Sequence, residues 1–319
     1  MLALLKLLAD GRFHSGEALG QVLGVSRSAV WKQLQQLEAD YQVQVHKVRG
    51  RGYCLAAPLA LLDAEQLQPA LGAQGITLDL HATIDSTNAR ALRLIAEQAP
   101  LPCLVLAECQ LAGRGRRGRQ WVSPFGENLY YSLALRIDGG MRRIEGLSLV
   151  AGLAVLACLK EAGVPDVVLK WPNDVLVGDR KIAGILLELV GDPADICHVV
   201  LGVGINVNMK AAPAVDQLWT SMQLSSGQPM DRNLLVLALS RHLLHYLQLH
   251  RDHGFAALRE QWEQHHAWQG RHVTLQAGSR ATSGKVLGVD DHGGLRLSVE
   301  GEEQVFSGGE LSLRLRDDS

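Results

Sequence analysis

Residues 113–132 read GRGRRGRQWVSPFGENLYYS. The first six match G-x-G-x-x-G, the phosphate turn of dinucleotide-binding folds. That reading needs a strand before the glycines and a helix after them. The strand is present as CLVLAE (103–108). The helix is not: Pro124 and Gly126 break the following run, which then alternates as a strand over NLYYSLALRI (128–137). A loop with strands on both sides excludes the doubly wound parallel sheet and predicts an α+β fold with a mixed sheet. No GxxxxGK[ST] loop exists either. The stretch 113–119 holds four arginines and three glycines. Ordering so flexible a segment costs about 1–2 kcal/mol per residue. A mobile lid is therefore expected, one that closes over an anion through charge-assisted hydrogen bonds.

Outward from this loop, strands and helices alternate. TLDLHATI (77–84) reads as a strand, and Ser86 as the cap of a helix TNARALRLIAEQ. Residues 144–162 form an apolar helix. DVVLKW (166–171), DVLV (174–177), AGILLELV (183–190) and HVVLGVGINVN (198–208) are strands. Asp231 caps a helix running to about His250, and Gly254 separates it from another ending near Trp268. The helices are expected on one face of the sheet. From residue 270 onward, short strands broken by Gly and Asp suggest a small β-barrel.

The first 55 residues parse differently. Leu2, Leu5 and Leu8 repeat at helical spacing. Ser15 caps GEALGQVLG, closed by Gly24, and Ser26 caps RSAVWKQLQQLEAD. The inward face of this third helix is Val30, Leu34 and Leu37. Its other face starts with Arg27, Ser28, Trp31, Lys32 and Gln35. Two strand-like runs follow, joined through Arg49-Gly50-Arg51-Gly52. This is the plan of a winged helix-turn-helix. Ser26, Arg27, Ser28, Trp31, Lys32 and Gln35 would meet a DNA groove, and Arg49 and Arg51 at the wing tip would reach a backbone phosphate or the minor groove. Residues 1–55 carry seven Lys/Arg against four Asp/Glu, although the whole chain carries 31 against 33. Such a basic end fits a polyanion partner. The expected domains are 1–62, 63–268 and 269–319.

Composition restricts the remaining classes. The chain has 319 residues, 47% hydrophobic and 20% charged, as in ordinary globular proteins. Five scattered cysteines without a CxxC pair argue against a disulfide framework or a zinc site. The longest apolar run, Leu147 to Leu159, falls short of the roughly 20 residues a bilayer needs. No secretory cleavage site follows the N-terminus, so a cytoplasmic protein is expected. His245, His250, His253, His265 and His266 follow helical spacing or sit at helix ends without a defensible carboxylate partner, and read as surface or core.

LKWPNDVLVGDRKIAGILLE (169–188) is the second chemical stretch. Trp-Pro-Asn-Asp makes a rigid turn, and a hairpin follows. Lys181 then stands beside Ile182-Ala183-Gly184, where backbone can approach a ligand and the ammonium can neutralise a carboxylate or phosphate.

DSTNARA (85–91), AECQLAGRGRRGRQWVSPFGENLYYSL (107–133), KWPNDVLVGDRKIAGILLEL (170–189) and GVGINVN (202–208) occur in this order. Together they resemble the biotin–protein ligases. With the winged helix and the FSGGELSLR ending (306–314), the resemblance extends over essentially the whole chain to the bacterial bifunctional form, ligase and biotin operon repressor. It implies a central sheet of the class II aminoacyl-tRNA-synthetase and biotin-ligase type and an SH3-like C-terminal domain. It implies biotin and ATP as substrates with Mg²⁺, biotinyl-5′-adenylate as intermediate, and transfer to a lysine of the biotin carboxyl carrier protein. By position, Ser86, Thr87, Asn88, Gln110, Arg114, Gly115, Arg116, Lys181, Gly184, Gly202 and Gly204 would bind biotin. Arg116, Arg119, Trp121, Lys170, Asn173, Asp174, Asn206 and Trp219 would bind ATP or the adenylate, with Asp174 also positioned for Mg²⁺. Lys181, Arg114 and Arg116 would carry catalysis. An adenylate-bound homodimer on operator DNA is also implied. Three alternatives stay open: a ligase whose N-terminal domain does not repress, a sensor with an inactive ligase site, and a lipoate or octanoate transferase.

Overall fold

The computed structural model describes residues 2–41, 43–56, 59–138, 140, 143–191, 196–308 and 311–315. At the N-terminus, α1 (Leu2–Leu8), α2 (Gly16–Leu23) and α3 (Arg27–Tyr41) precede the antiparallel pair β1 (Val45–Val48) and β2 (Gly52–Leu55). Ser15 Oγ accepts the Ala18 amide at 3.0 Å, and Gly24 ends α2 in the left-handed region at φ 66°. Ser26 Oγ accepts the Ala29 amide at 3.2 Å and so starts α3. Val30, Leu34 and Leu37 bury against Leu4, Leu5, Leu8 and Leu19, as the i, i+4, i+7 spacing predicts. The helices and wing of the sequence reading are present.

The central body comprises α4 (Ala64–Gly72), β3 (Thr77–His81), α5 (Thr87–Ala96), β4 (Cys103–Ala107), β5 (Leu129–Asp138), α6 (Leu147–Glu161), β6 (Val167–Lys170), β7 (Asp174–Val177), β8 (Arg180–Gly191), β9 (Ile196–Ile205), α7 (Met222–Ser226), α8 (Arg232–His253) and α9 (Arg259–Gln264). The seven strands run in the order β3-β4-β5-β9-β8-β7-β6. Only β3 and β4, joined through α5, are parallel. The sheet is therefore mixed.

Its helices do not all lie on one face, contrary to the sequence expectation. Leu104, Leu106, Leu133, Leu201 and Val203 pack with α6 and α8. Cys103, Val105, Ala134 and Val200 point the other way, onto Ala91, Leu94 and Ile95 of α5. Strand alternation forces this split, because both sets of alternating residues are apolar. On the second face α5 covers β4, β5 and β9. The apolar run of α6 is buried nearly all round, between sheet and α8. Among the described residues, no helix is long and apolar enough to cross a membrane. The helix expected to reach about Trp268 stops at Gln264, because His265 O and Ala267 N turn to hydrogen-bond Leu169 of β6.

The last strands, β10 (His272–Ala277), β11 (Arg280–Val289), β12 (Leu295–Val299), β13 (Glu302–Phe306) and β14 (Leu311–Leu315), form one antiparallel sheet in the order β13-β12-β11-β10-β14. Val273, Leu275, Val286 and Leu297 join the central core, and Trp171 Nε1 donates to Gly293 O at 3.0 Å.

The connection from the wing to α4 is pinned to the central body. Arg232 of α8 is fully buried and donates to Ala60 O at 2.7 Å, to Asn128 O at 3.0 Å and to the Glu108 carboxylate at 2.5 Å. Glu108 accepts the Leu62 amide at 2.6 Å, and Asn233 bonds Leu61 O and the Asp63 amide. Above this clamp, the Tyr41 ring at the end of α3 stacks on Phe125, centroids 4.4 Å apart.

Candidate ligand site and DNA-binding surface

The accessible patch of sheet beside α5 is floored by glycine. Gly184 of β8 pairs with Gly204 of β9, and Gly202 pairs with Ser132 on one side and Leu186 on the other. A Cβ at Gly202 would meet Asn88 Oδ1 at 2.2 Å, and one at Gly204 would meet the Trp121 indole at 2.5 Å. Asn88 and Trp121 thus pack directly on the glycine backbone, which leaves no room for a side chain there. A bulge in the β7–β8 pairing, between Val175 and Leu176, brings Lys181 to the same side as Gly184 despite their three-residue spacing. A Cβ at Gly184 would lie 3.2 Å from Lys181 Nζ.

The first turn of α5 forms one wall. Ser86 Oγ caps the helix on the Ala89 amide. The Thr87 amide and hydroxyl both donate to Gln110 Oε1, at 2.9 and 3.1 Å. Gln110 Nε2 donates to Ser123 Oγ, which donates to Trp121 O. On the other side, the Ser132 hydroxyl lies 2.8 Å from Thr87 Oγ1 and 2.6 Å from Asn88 Oδ1. Asn88 Nδ2 donates to Glu188 Oε2 at 2.8 Å, and Glu188 Oε1 accepts from Arg114 Nη1 at 3.2 Å. A chain of polar side chains therefore circles the cleft and ties α5 to both limbs of the arginine loop.

That loop closes on itself through Gly115 N to Arg119 O at 2.7 Å and Trp121 N to Gly113 O at 2.9 Å. It is folded as a tight excursion rather than left extended. Arg116 reaches inward, donating to Asn173 Oδ1 at 2.8 Å, and burial lowers its affinity for the proton. Ser86, Thr87, Asn88, Gln110, Arg114, Gly115, Arg116, Asn173, Lys181, Gly184, Gly202 and Gly204 line one cleft. Every residue assigned to biotin from sequence is in that group.

Arg119, Trp121, Lys181, Asn206 and Trp219 line an adjoining cavity. Trp219 is held beside Lys181 by a parallel bridge, with Lys181 N bonded to Leu218 O and Thr220 N to Lys181 O. Asn206 Nδ2 donates to Thr220 O at 2.9 Å. Lys181 Nζ sits 2.6 Å from Asp174 Oδ1, and Lys170 Nζ 3.8 Å from Oδ2. Burial lowers the Lys170 pKa, and nearby Lys181, Arg314 and Arg119 add to the effect against the opposing pull of Asp174. The two compartments share Lys181 and Trp121. Among the described residues, no cluster of three or more His, Cys, Asp or Glu could hold a metal ion. Asp174 is one carboxylate already faced by two lysines, which does not make a resident metal site.

On the N-terminal unit, Ser26, Arg27, Ser28, Trp31, Lys32 and Gln35 are all exposed along α3, as are Arg49 and Arg51 at the turn of the wing. Ser26 is committed to its cap, and the Arg51 guanidinium lies over the Phe13 ring at 4.3 Å.

Three family models match this chain: the biotin/lipoate A/B protein ligase family over residues 80–206, an HTH domain over 1–54, and the biotin protein ligase C-terminal domain over 270–314. The bifunctional ligase/repressor BirA of Escherichia coli (strain K12) is 42% identical over 315 residues, covering 98% of this chain and 97% of that protein. This chain belongs to the biotin–protein ligase family. The counterpart in Bacillus subtilis (strain 168) is 33% identical over 309 residues, 94% of each chain. The ligase fold also matches the biotin protein ligase from Aquifex aeolicus in complex with biotin and ATP. The TM-score is 0.67 at 30% identity, covering 75% of this chain and 99% of that one. The protein is a ligase with a helix-turn-helix domain of the repressor type.

The sequence reading missed Ser132, Ser123 and Glu188 in this ligase. Ser132 is fully buried and Glu188 is a quarter exposed. Each lies in an alternating strand or an unremarkable coil, where nothing local marks it. Only the register opposite Gly202 could have drawn attention to Ser132.

Proposed function

We propose that this ligase activates biotin with ATP to biotinyl-5′-adenylate and pyrophosphate. It then transfers biotin to a lysine of a biotin carboxyl carrier protein, and with adenylate bound it dimerises on operator DNA to repress biotin synthesis. The supporting observation is the convergence of the α5 turn, Gln110, Arg114, Arg116 and Lys181 on one glycine-lined cleft, next to a second cavity with Asn206 and Trp219. Biotin would occupy the first compartment, where its ureido group would meet the donors and acceptors of Thr87, Asn88 and Gln110. The adenylate would extend past Lys181 into the second, between Trp121 and Trp219. The Trp121 indole N–H is buried without an acceptor, and a ligand oxygen would satisfy it.

Carboxylate attack on the α-phosphorus brings two anions together, and Lys181 and Arg116 offset their repulsion. The bond to pyrophosphate breaks as the mixed anhydride forms. Arg114 and the loop above then keep water from the anhydride until the carrier amine displaces AMP. No enzyme nucleophile is needed. Mg²⁺ would arrive with the triphosphate, bound mainly by phosphate oxygens, with Asp174 as a protein carboxylate beside it. Residues 1–62 would form the DNA-binding domain, 63–268 the catalytic domain and 269–319 the C-terminal domain, in a cytoplasmic protein.

The test is a transfer assay with labelled biotin, Mg·ATP and a carrier domain. ATP-dependent label on the carrier is expected, and Lys181→Ala should abolish it. Absence of label from a folded protein would leave a sensor or another acyl transferase. Operator binding that requires biotin and ATP together would exclude a ligase without repression.

A further inference from the structure

Glu188 carries a role that neither the motifs nor the chemistry above assigns to it. It projects from β8 two residues beyond Leu186, on the face shared with Gly184, and is three-quarters buried. Its two oxygens serve two partners. Oε1 accepts from Arg114 of the loop at 3.2 Å, and Oε2 accepts from Asn88 of α5 at 2.8 Å. Neither partner can easily turn elsewhere. Asn88 Oδ1 is taken by Ser132 at 2.6 Å, and its Nδ2 also faces Leu186 O at 3.4 Å, so flipping the amide would break both contacts. Arg114 is held through its backbone by the bridge to Gln120.

We propose that Glu188 is a positioning residue of the ligase reaction, whose carboxylate bridges Arg114 and Asn88 at the edge of the cleft and fixes them together against the biotin end of the substrate. The proposal rests on the ligase reading. Only an ionised carboxylate of this length meets the geometry. Both partners are donors, so the bridging group must be an acceptor at both ends. A glutamine would present one acceptor and one donor, and would lose either Arg114 or Asn88. An aspartate is one methylene shorter and cannot reach both. The charge also compensates Arg114, whose guanidinium is half exposed at the cleft edge and is tethered there by this contact.

The chemistry selects which substrate is affected. Glu188 bonds Asn88 and Arg114, which line the first compartment, while its own side chain borders the neighbouring cavity under the arginine loop and lines no part of the Asn206 and Trp219 compartment. Loss of one hydrogen bond to a charged group should raise the KM for biotin about tenfold and leave the KM for ATP within twofold. The experiment is labelled-pyrophosphate exchange in Mg·ATP with full-length E188Q and E188D, varying biotin and ATP separately, with thermal unfolding of each variant. The expected result is a biotin-selective KM increase in both variants and an unchanged unfolding midpoint. Placing E188Q in an R114A background should add less than twofold, because the two residues act through one contact. An unchanged biotin KM overturns the proposal. So does a parallel rise of both KM values with a lowered midpoint, which is the signature of a scaffold residue. A full tenfold added to R114A also overturns it. Wild-type protein without exchange would overturn the ligase reading itself, and this proposal with it.

Discussion

Gly202 shows how far a single atom decides this site. A methyl group there would sit 2.2 Å from Asn88 Oδ1, and Asn88 is braced from behind by Ser132 and Glu188. The side chain therefore cannot yield, and overpacking of this kind costs about 1–3 kcal/mol. Gly202→Ala is expected to weaken biotin binding about tenfold to a hundredfold by calorimetric titration. Gly72→Ala, with nothing within 4 Å of the added methyl, should leave binding unchanged. Residues whose chemistry is announced locally were legible in the sequence: the polar triplet after Asp85, the arginines of the loop, and Lys181 between hairpin and glycine. Ser132 and Glu188 were not. A serine or glutamate in an alternating strand is ordinarily solvated, and only pairing with distant strands makes either one a contact.

Elements were legible to the extent that their ends carry chemistry. Ser15, Ser26, Ser86 and Asp231 start the helices expected of them, because each side-chain oxygen satisfies an amide of the first turn. The side of the sheet on which α5 packs was not legible, since both faces of β4 are apolar and periodicity is silent there. The end of α9 was also misread, because a strand carbonyl and amide at Leu169 compete for the chain. His266 lies in that departure, buried with its ring 4.7 Å from that of Trp262. Burial lowers its pKa from 6.5 to about 4. Above pH 6.5 the ring is neutral in folded and unfolded chains alike, and no penalty arises. Between 6.5 and about 4 the unfolded chain takes up a proton that the folded chain refuses, so stability falls by up to about 1.4 kcal/mol per pH unit. The stability advantage of wild type over His266→Phe should accordingly shrink from pH 7 to pH 5 in urea unfolding. A constant difference would refute this role.

Across the whole molecule, the connection between the DNA-binding unit and the ligase body is anchored by one buried ion pair. Arg232 and Glu108 are 172 and 46 residues, by sequence, from Ala60 and Leu62, the linker residues they hold, a separation no local pattern can disclose. Removing the cation alone would strand a buried carboxylate. Arg232→Met should cost about 3–5 kcal/mol of unfolding free energy, and adding Glu108→Gln should recover much of it. If the double variant is as unstable as the single one, the charge imbalance is not the cause. Glu108 has a further partner: its carbonyl accepts the Gly126 amide at 2.9 Å, at the stem of the arginine loop, while its carboxylate accepts the Leu62 amide in the linker. Two amide protons, one where the arginine loop runs into β5 and one at the root of the DNA-binding unit, are thereby held by a single residue. Their exchange with solvent deuterium is therefore expected to rise and fall together, and independent exchange of the two would refute this coupling.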